Sequence, residues 1–140
     1  GKRLVKSPKV YVRDSGVVHA LLSIGTIEGL LGHPVVGGSW EGLCIEALLA
    51  AAPTGTEPFF YRTSAGAELD LVLRLPGGDI WAVEIKRTTA PKVSRGFYVG
   101  AEDIKASRKL LIYAGEHDVP VAEGVRAVPL EQGIGLLRAL

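Results

Sequence analysis

Two charged runs at the ends of apolar segments mark where this chain could do chemistry. Glu84 and Lys86 close the run Ile80-Trp81-Ala82-Val83-Glu84-Ile85-Lys86, and Asp70 lies in the preceding run Glu68-Leu69-Asp70-Leu71-Val72-Leu73. Side chains alternate along a strand, so Glu84 and Lys86 should point to the same face of a sheet. Charges on a buried strand are costly unless they are paired or bound to an ion. The pattern therefore indicates a metal-dependent phosphodiester site.

Adjacent strands of a hairpin would bring Asp70 close to Glu84, where two carboxylates repel unless a cation lies between them. Such oxygen ligands suit Mg²⁺ or Mn²⁺. Lys86 would then hold a water or help to deprotonate it, while the metal stabilises charge on the scissile phosphate. The alternative is an ordinary Glu84–Lys86 or Asp70–Lys86 ion pair at a sheet edge. Alternation also predicts Glu68, Asp70 and Val72 on one face, with the three leucines of that run on the other.

A predicted helix at 39–51 supplies a further acid. We expect one buried stripe on it, formed by Trp40, Leu43, Cys44, Ala47, Leu48 and Ala51. At about 100° per residue, Glu41 lies at the edge of this stripe and can reach over the sheet, whereas Glu46 should point towards solvent. The alternative for Glu41 is a hydrated boundary residue. Cys44 fits the stripe as a small apolar side chain, so we assign it no chemical role.

The remaining pattern predicts a mixed α/β fold with a central sheet. Expected elements are a strand at 9–12, a helix capped by Asp14 or Ser15, strands at about 57–63, 67–75 and 79–86, a helix near 100–107, and a strand at 110–113. Residues 119–128 add a fifth strand, and a last helix follows Pro129. Gly77-Gly78 should turn the second and third strands of the trio into a hairpin. With 140 residues, the chain fits a single domain.

Composition and charge narrow the functional classes. No apolar run is long enough to span a bilayer and no signal-peptide pattern occurs, so we expect a cytoplasmic protein. One cysteine and three scattered histidines argue against a structural zinc site. Residues 14–85 hold two bases and nine acids, whereas residues 86–109 hold seven bases and two acids. A basic surface beside an acidic centre could meet phosphates, as in DNA binding, although Lys105, Arg108 and Lys109 are more simply interpreted as solvating a helix and its exit.

The order helix Glu, strand Asp and strand Glu-x-Lys resembles the PD-(D/E)XK nuclease-like superfamily. It is similar in particular to a domain of unknown function that follows the AAA+ ATPase domain in prokaryotic ATP-binding proteins. The segments that carry the resemblance are 9–16, Gly37 with Glu41, Tyr61-Arg62, 68–72 and 82–86. The resemblance implies a restriction-endonuclease-like core in α-β-β-β-α-β order, within a fragment of a longer ATPase. Leu71, where the group often has Phe, and Gly42, where a polar residue is common, depart from its pattern.

By this resemblance, Asp70 and Glu84 are metal ligands, Lys86 is the catalytic lysine, and Glu41 is an accessory acid that orients water or a second metal. Arg62 would contact phosphate or, as we favour, pair with Glu68. The chain contains no phosphate-binding loop, so ATP would bind to the N-terminal AAA+ domain. Three functions follow as hypotheses: a Mg²⁺-dependent nuclease-like domain, an inactive module that binds nucleic acid or a partner and regulates the attached ATPase, and a structural docking domain. The superfamily includes members that only bind, and fold alone does not decide among them.

Overall fold

A six-stranded mixed sheet with helices on both faces organises the molecule. The computed structural model describes residues 12–140. The helices are α1 (Ser15–Leu21), α2 (Ile27–Leu31), α3 (Val36–Ala51), α4 (Arg95–Asp103) and α5 (Leu130–Arg138). The strands are β1 (Glu57–Arg62), β2 (Glu68–Arg74), β3 (Ile80–Lys86), β4 (Arg108–Tyr113), β5 (Val119–Ala122) and β6 (Val125–Pro129). The mixed α/β class predicted from the sequence is confirmed.

The strand order is β1-β2-β3-β4-β6-β5. The first three strands form an antiparallel meander, β4 runs parallel to both β3 and β6, and β5 pairs antiparallel with β6 at the far edge. The predicted β2–β3 hairpin is present, and Gly78 adopts a φ of 90° in its turn, which favours glycine. Helix α4 provides the crossover from β3 to β4. The carboxyl ends of β3 and β4 therefore lie at the same edge of the sheet.

Two apolar clusters fill the space on either side of the sheet. One lies beneath α3 and α5 and includes Leu48, Leu73, Val83, Ile112 and Leu137. The other lies beneath α4 and includes Leu69, Ala82, Phe97, Leu111 and Val125. Strand β3 is buried on both faces, as expected for an interior strand flanked by helices on each side.

The helix boundaries differ from those predicted. Helix α3 begins three residues earlier than predicted, so that Gly37 and Gly38 are helical, and α4 spans Arg95–Asp103 rather than 100–107. Ser94 sets the start of α4 because its hydroxyl accepts a hydrogen bond from the Phe97 backbone N–H at 3.0 Å. The helix then ends close to Lys105, whose φ is 54°. Asp14 caps α1 as predicted, by accepting from the Gly16 backbone N–H at 2.8 Å.

One further prediction needs correction, and another falls mostly outside the described residues. The segment 119–128 contains two strands, because Gly124, with a φ of 67°, reverses the chain between β5 and β6. The short helix α2 was not expected. The predicted strand at 9–12 lies outside the described residues except for Val12, which belongs to no regular element. Within residues 12–140, no helix is both long and apolar enough to cross a membrane.

Candidate active site

A β-bulge in β2 positions Asp70. Val72 and Leu69 are three steps apart along β2, but their partners on β1, Phe59 and Tyr61, are only two steps apart. The extra residue falls at Asp70-Leu71, so Leu69 and Val72 both lie against α4 while Leu71 lies on the α3 side. The strict alternation predicted for this strand is therefore wrong. Bulges of this kind redirect side chains at sheet edges and near active sites.

The bulge turns Asp70 towards the end of β3. The paired register of β2 and β3 stops at Leu71 and Val83, and the Asp70 carboxylate Oδ2 accepts a hydrogen bond from the Ile85 backbone N–H at 2.9 Å. A side-chain oxygen thus takes the place of a strand carbonyl. The contact holds Asp70 beside the Glu84-Ile85-Lys86 run, as the sequence predicted.

Glu84 is one of only two buried polar or charged residues in the described chain, with 5% of its surface exposed. Its Oε1 lies 2.7 Å from Lys86 Nζ and accepts a weaker hydrogen bond from the Ser94 hydroxyl at 3.4 Å. Its Oε2 is buried and has no hydrogen-bond partner. A buried carboxylate oxygen without a partner is unfavourable in a resting protein, so this atom is available to a ligand.

Lys86 interacts electrostatically with three acidic side chains, those of Glu84, Asp70 and Glu41. Burial acts to lower the pKa of its ammonium group, but the hydrogen bond that it donates to Glu84 and the charges of Glu84, Asp70 and Glu41 outweigh burial and raise the pKa above 10.5. Lys86 is therefore a cation at neutral pH. The same influence shows that all three acids predicted for the site lie within electrostatic range of Lys86.

Helix α3 brings Glu41 to the site through its packing. Glu41 lies four residues before Ile45 and seven before Leu48, both of which are buried, so it shares their side of the helix. The predicted buried stripe is partly wrong, because Leu43 is 50% exposed and Ile45 is buried in its place. Helix α3 contacts α5 as well as the sheet, and this rotates its buried surface relative to the prediction.

Glu46 was predicted to point towards solvent but lies in a groove with Asp70 between α3 and β1. Its carboxylate is 3.3 Å from Arg13 Nε, and its side chain is only about one-third exposed. Helical spacing alone could not reveal this position, because the groove is created by β1, which is remote in sequence. The Arg13–Glu46 pair spans 33 residues and likewise leaves no sequence signal.

Two groups of basic residues between 87 and 109 differ in their contacts. Arg108 lies over the Trp81 ring at 4.6 Å and Lys109 lies near the Tyr98 ring at 6.0 Å, so both serve as packing cations. Arg87, Lys92 and Arg95 are exposed and have no ion pair among residues 12–140. We call these three residues the basic rim, since they follow Lys86 in the chain and lead into α4. Arg62 lies 3.8 Å from Glu68, as favoured from the sequence, and both side chains are partly exposed.

The donor set for a metal ion is limited. Within the described part of the chain, no three His, Cys, Asp or Glu side chains form a group that could hold a metal ion. Asp70 and Glu84 offer two carboxylates at the end of β3. Such a pair resembles the sparse protein ligation that Mg²⁺ accepts when waters and phosphates complete its shell.

Comparison with known proteins assigns the family. The model of a domain of unknown function, DUF4143, matches residues 36–133, well over half of the chain. The chain belongs to the DUF4143 family. It is also 42% identical over 133 residues to Uncharacterized protein Rv2008c of Mycobacterium tuberculosis and to Uncharacterized protein Mb2031c of Mycobacterium bovis. These matches cover 94% of the chain but only 30% of each relative, so the chain spans less than a third of their length. No solved structure matches the chain.

The DUF4143 match encloses the whole candidate site. Residues 36–133 contain Glu41, Asp70, Glu84, Lys86 and the basic rim. Helices α1 and α2 lie before this range. The site is therefore a feature of the DUF4143 region itself rather than of the preceding helices.

Proposed function

We propose that this DUF4143 domain is a metal-dependent phosphodiesterase domain of the PD-(D/E)XK nuclease-like type, built on a restriction-endonuclease-like core. One observation carries the proposal: the bulge of β2 places Asp70 on the backbone of the Glu84-Ile85-Lys86 run, with Lys86 within electrostatic range of both carboxylates and of Glu41. Two acids and a lysine from adjacent strands, with a third acid from a helix, match the order that the sequence resemblance predicted. Family membership alone says nothing about activity.

The residues present fit a divalent cation such as Mg²⁺ or Mn²⁺. Glu84 Oε2 is buried and has no protein partner, and the Asp70 carboxylate is held by the backbone N–H of Ile85, the next residue along β3. A metal ion bound by Asp70 and Glu84 would supply Lewis-acid stabilisation of negative charge on a phosphate. Two protein carboxylates are a usual complement for Mg²⁺, whose shell is completed by water and substrate oxygens.

The protein groups have distinct roles in this proposal. Lys86 is protonated at neutral pH, so it orients a water or a phosphate oxygen by donating hydrogen bonds and does not withdraw a proton in the resting site. Ser94 helps to fix Glu84, and Glu41 contributes negative charge that keeps Lys86 cationic. Asp70 and Glu84 hold the site at the carboxyl end of β3.

The basic rim favours a polyanionic substrate such as DNA. Arg87, Lys92 and Arg95 lie within nine residues of Lys86 and form no ion pair within residues 12–140. Exposed cations next to a phosphodiester site attract the substrate and hold its backbone. Arg62 adds a fourth cation if its long contact with Glu68 opens.

The test is cleavage of end-labelled DNA with Mg²⁺ or Mn²⁺ by the wild type, Lys86→Ala, Asp70→Asn and the distant control Lys105→Ala. We expect the first two variants to lose at least about 100-fold in rate, since positioned acid, base and electrostatic groups each contribute that much. Lys105→Ala should match the wild type. Titration with Mn²⁺ should show weaker binding to Asp70→Asn. Equal cleavage by the wild type and Lys86→Ala would refute the proposal.

A second candidate function is an inactive module that regulates an attached ATPase, and the surface of α1 and α2 favours it. Neither helix buries a residue, and Val17, Leu21, Leu22, Ile27 and Leu31 are large apolar side chains exposed to solvent. Clustered exposed apolar residues mark protein interaction surfaces. The relatives are more than three times as long as the matched region, so the occupant that we propose is the remainder of such a longer chain.

Hydrogen exchange distinguishes this second function. Amides of α1 and α2 should exchange slowly in a full-length protein that contains this domain and quickly in the 140-residue chain. Metal-dependent cleavage should be absent if regulation is the whole function. Equal exchange in both proteins would exclude docking of α1 and α2 on the rest of the chain.

A further inference from the structure

A second concave site lies at the amino ends of β4 and β6, and we call it the arginine pocket after Arg108 and Arg126, which line it. It encloses about 490 Å³, within the range of small-ligand sites. In the parallel pair of β3 and β4, Arg108 lies opposite Trp81 and Tyr113 lies opposite Lys86. The strand between these two levels is roughly 16 Å long, at about 3.3 Å per residue. A small molecule in the arginine pocket therefore does not touch the candidate active site.

The two arginines project from the same face of the sheet. Arg126 is paired with Leu110 across β4 and β6, and Arg108 precedes Leu110 by two residues, so alternation puts all three side chains on one face. Leu110 belongs to the apolar cluster beneath α3 and α5, which identifies this face. Cα atoms in such a diagonal relation on adjacent strands are about 8 Å apart. Two arginine side chains at that spacing can reach one small ligand.

Both guanidinium groups are held in place by contacts that leave donors for a ligand. Arg108 lies over the Trp81 ring at 4.6 Å, a contact that uses the flat face of the guanidinium and not its in-plane N–H groups. Arg126 Nε donates to Asp118 at 2.6 Å, and the Asp118 carboxylate also accepts from Gln132 at 2.8 Å. A guanidinium has five N–H donors, so a bond through Nε fixes the side chain while the terminal nitrogens carry four more. Side chains that are already ordered lose less entropy when a ligand binds.

The rest of the pocket combines apolar walls with a net positive charge. Leu110 and Val128 are buried, and Leu136 of α5 and Pro120 of β5 complete the lining on this face. Asp118 is the acid of the pocket and faces the two arginines. A ligand that matches these walls has an anionic group and a small apolar body.

We propose that the arginine pocket binds a small organic phosphate monoester, with its phosphate between Arg108 and Arg126 and its apolar body over Leu110 and Leu136. Arginine binds phosphate and carboxylate groups through two parallel hydrogen bonds. Two guanidinium groups offer two such pairs of donors. The three terminal oxygens of a phosphate monoester satisfy them better than the two oxygens of a carboxylate or of a phosphodiester. The pocket uses no residue of the proposed phosphodiesterase site, so its function does not depend on hydrolysis.

The test is an NMR titration of the ¹⁵N-labelled 140-residue chain with phenyl phosphate, in EDTA and 100 mM NaCl so that metals are absent and weak surface attraction is screened. The backbone amides of Ser107 and Gly124 and the Arg126 Nε–H should shift, whereas those of Ile85 and Lys86 should not. We expect a Kd below about 1 mM, as suits a fragment of this size in a concave site. Phenylacetate, which has the same ring on a carboxylate, and inorganic phosphate, which has no apolar body, should each bind at least fivefold more weakly.

The variants Arg108→Gln and Arg126→Gln should each weaken phenyl phosphate binding at least tenfold, since each removes hydrogen bonds between charged groups. Arg126→Lys keeps the charge but not the planar fork, so it should recover only part of the affinity. Arg74→Gln is the matched control, because Arg74 also contacts an aromatic ring and pairs with an acid but does not line the pocket. It should bind as the wild type does. Melting temperatures within about 3 °C of the wild type would show that the variants remain folded, as expected for exposed positions.

Three results would overturn the inference. One is unchanged phenyl phosphate binding by Arg108→Gln and Arg126→Gln, or no binding by the wild type. Another is equal or tighter binding of phenylacetate or inorganic phosphate, which would remove the phosphate group or the apolar body from the recognition. The third is a shift of the Ile85 and Lys86 amides in place of those of Ser107 and Gly124, which would move the phosphate to the candidate active site. Absence of metal-dependent DNA cleavage would refute the proposed function and leave the arginine pocket unaffected.

Discussion

The Glu84–Lys86 pair combines a buried acid with a base whose side chain is 39% exposed. A carboxylate taken out of water needs partners for both oxygens, and here Lys86 satisfies Oε1 while Oε2 has none. Removal of Lys86 would leave a buried charge with only the weak Ser94 contact. Removing one partner of a buried ion pair lowers the free energy of unfolding more than replacing both partners by apolar residues does.

Lys86→Met is therefore expected to lower the free energy of unfolding by about 2 kcal/mol at pH 8, because Glu84 stays buried without its cation. The double variant Glu84→Gln/Lys86→Met should recover part of the stability. Urea denaturation of the wild type, Lys86→Met and the double variant at pH 8 measures these differences, and an equal loss of stability in the single and double variants would contradict the explanation.

The raised pKa of Lys86 also determines whether its contribution to folding stability rises or falls at alkaline pH. A base whose pKa is higher in the folded than in the unfolded state adds stability that is fully present below the unfolded value, 10.5, and is lost as the pH rises through the folded value. We expect the stability difference between the wild type and Lys86→Met to be constant from pH 7 to 9 and to narrow above pH 10.5. Thermal unfolding across this range checks it, and narrowing already at pH 8 would show that Lys86 loses its proton earlier.

At the scale of elements, α4 connects the site to the β1–β2 hairpin. A methyl group at position 96 would lie 2.8 Å from the Gly66 carbonyl oxygen, so the first turn of α4 approaches the backbone of the hairpin closely. Ser94, immediately before this turn, contacts Glu84. The close approach of α4 thus helps to hold the site residue from the side opposite α3.

Gly96→Ala should destabilise the protein by about 1–3 kcal/mol, because a backbone carbonyl cannot move aside cheaply. Gly135→Ala is the matched control in α5, where a methyl group would meet nothing within 4 Å. There, alanine should stabilise the helix by about 0.5–1 kcal/mol. Chemical denaturation of both variants gives the comparison, and equal effects of the two substitutions would rule out the close contact as the cause.

The elements whose local signals are strong could be predicted from the sequence. The three strands β1 to β3 and the Gly77-Gly78 turn follow from apolar runs and turn residues, and Asp14 follows from capping chemistry. The bulge at Asp70-Leu71 could not, since it is defined by the register with β1 rather than by its own residues. Gly37 and Gly38 are helical despite their low propensity, because the rest of α3 is fixed by its contacts with α5 and the sheet.

The site residues also differ in whether their positions could be predicted from the sequence. Asp70, Glu84 and Lys86 are encoded within two neighbouring strands, so their proximity followed from a hairpin. Glu46 and Asp70 line one groove although α3 and β2 are remote in sequence, and no spacing in the sequence predicts that arrangement. The residues of the proposed site could therefore be predicted from the sequence, whereas the groove between α3 and β1 could not.

At the scale of the whole molecule, charge is separated although the net charge is only +1. The acids Glu41, Asp70 and Glu84 surround Lys86, and the basic rim begins with the next residue along the chain. Arg95 stands at the first residue of α4, and Lys105 lies beyond its last residue, so a nine-residue helix of about 14 Å separates the rim from the next cation. This arrangement concentrates unpaired positive charge at the end of the molecule that holds the carboxylates.

Nucleic-acid binding should therefore depend on salt through the basic rim. Replacing Arg87, Lys92 and Arg95 together by alanine should weaken the binding of a labelled single-stranded DNA oligonucleotide most at low salt. It should reduce the slope of log affinity against log salt by about 2, at roughly 0.7 for each phosphate that the variant no longer neutralises. Lys105→Ala, at the other end of α4, should leave the slope unchanged, because a single distant cation does not touch the strand. Anisotropy titrations between 50 and 300 mM NaCl measure both slopes, and equal reductions in the two proteins would mean that net charge, rather than the rim, attracts the strand.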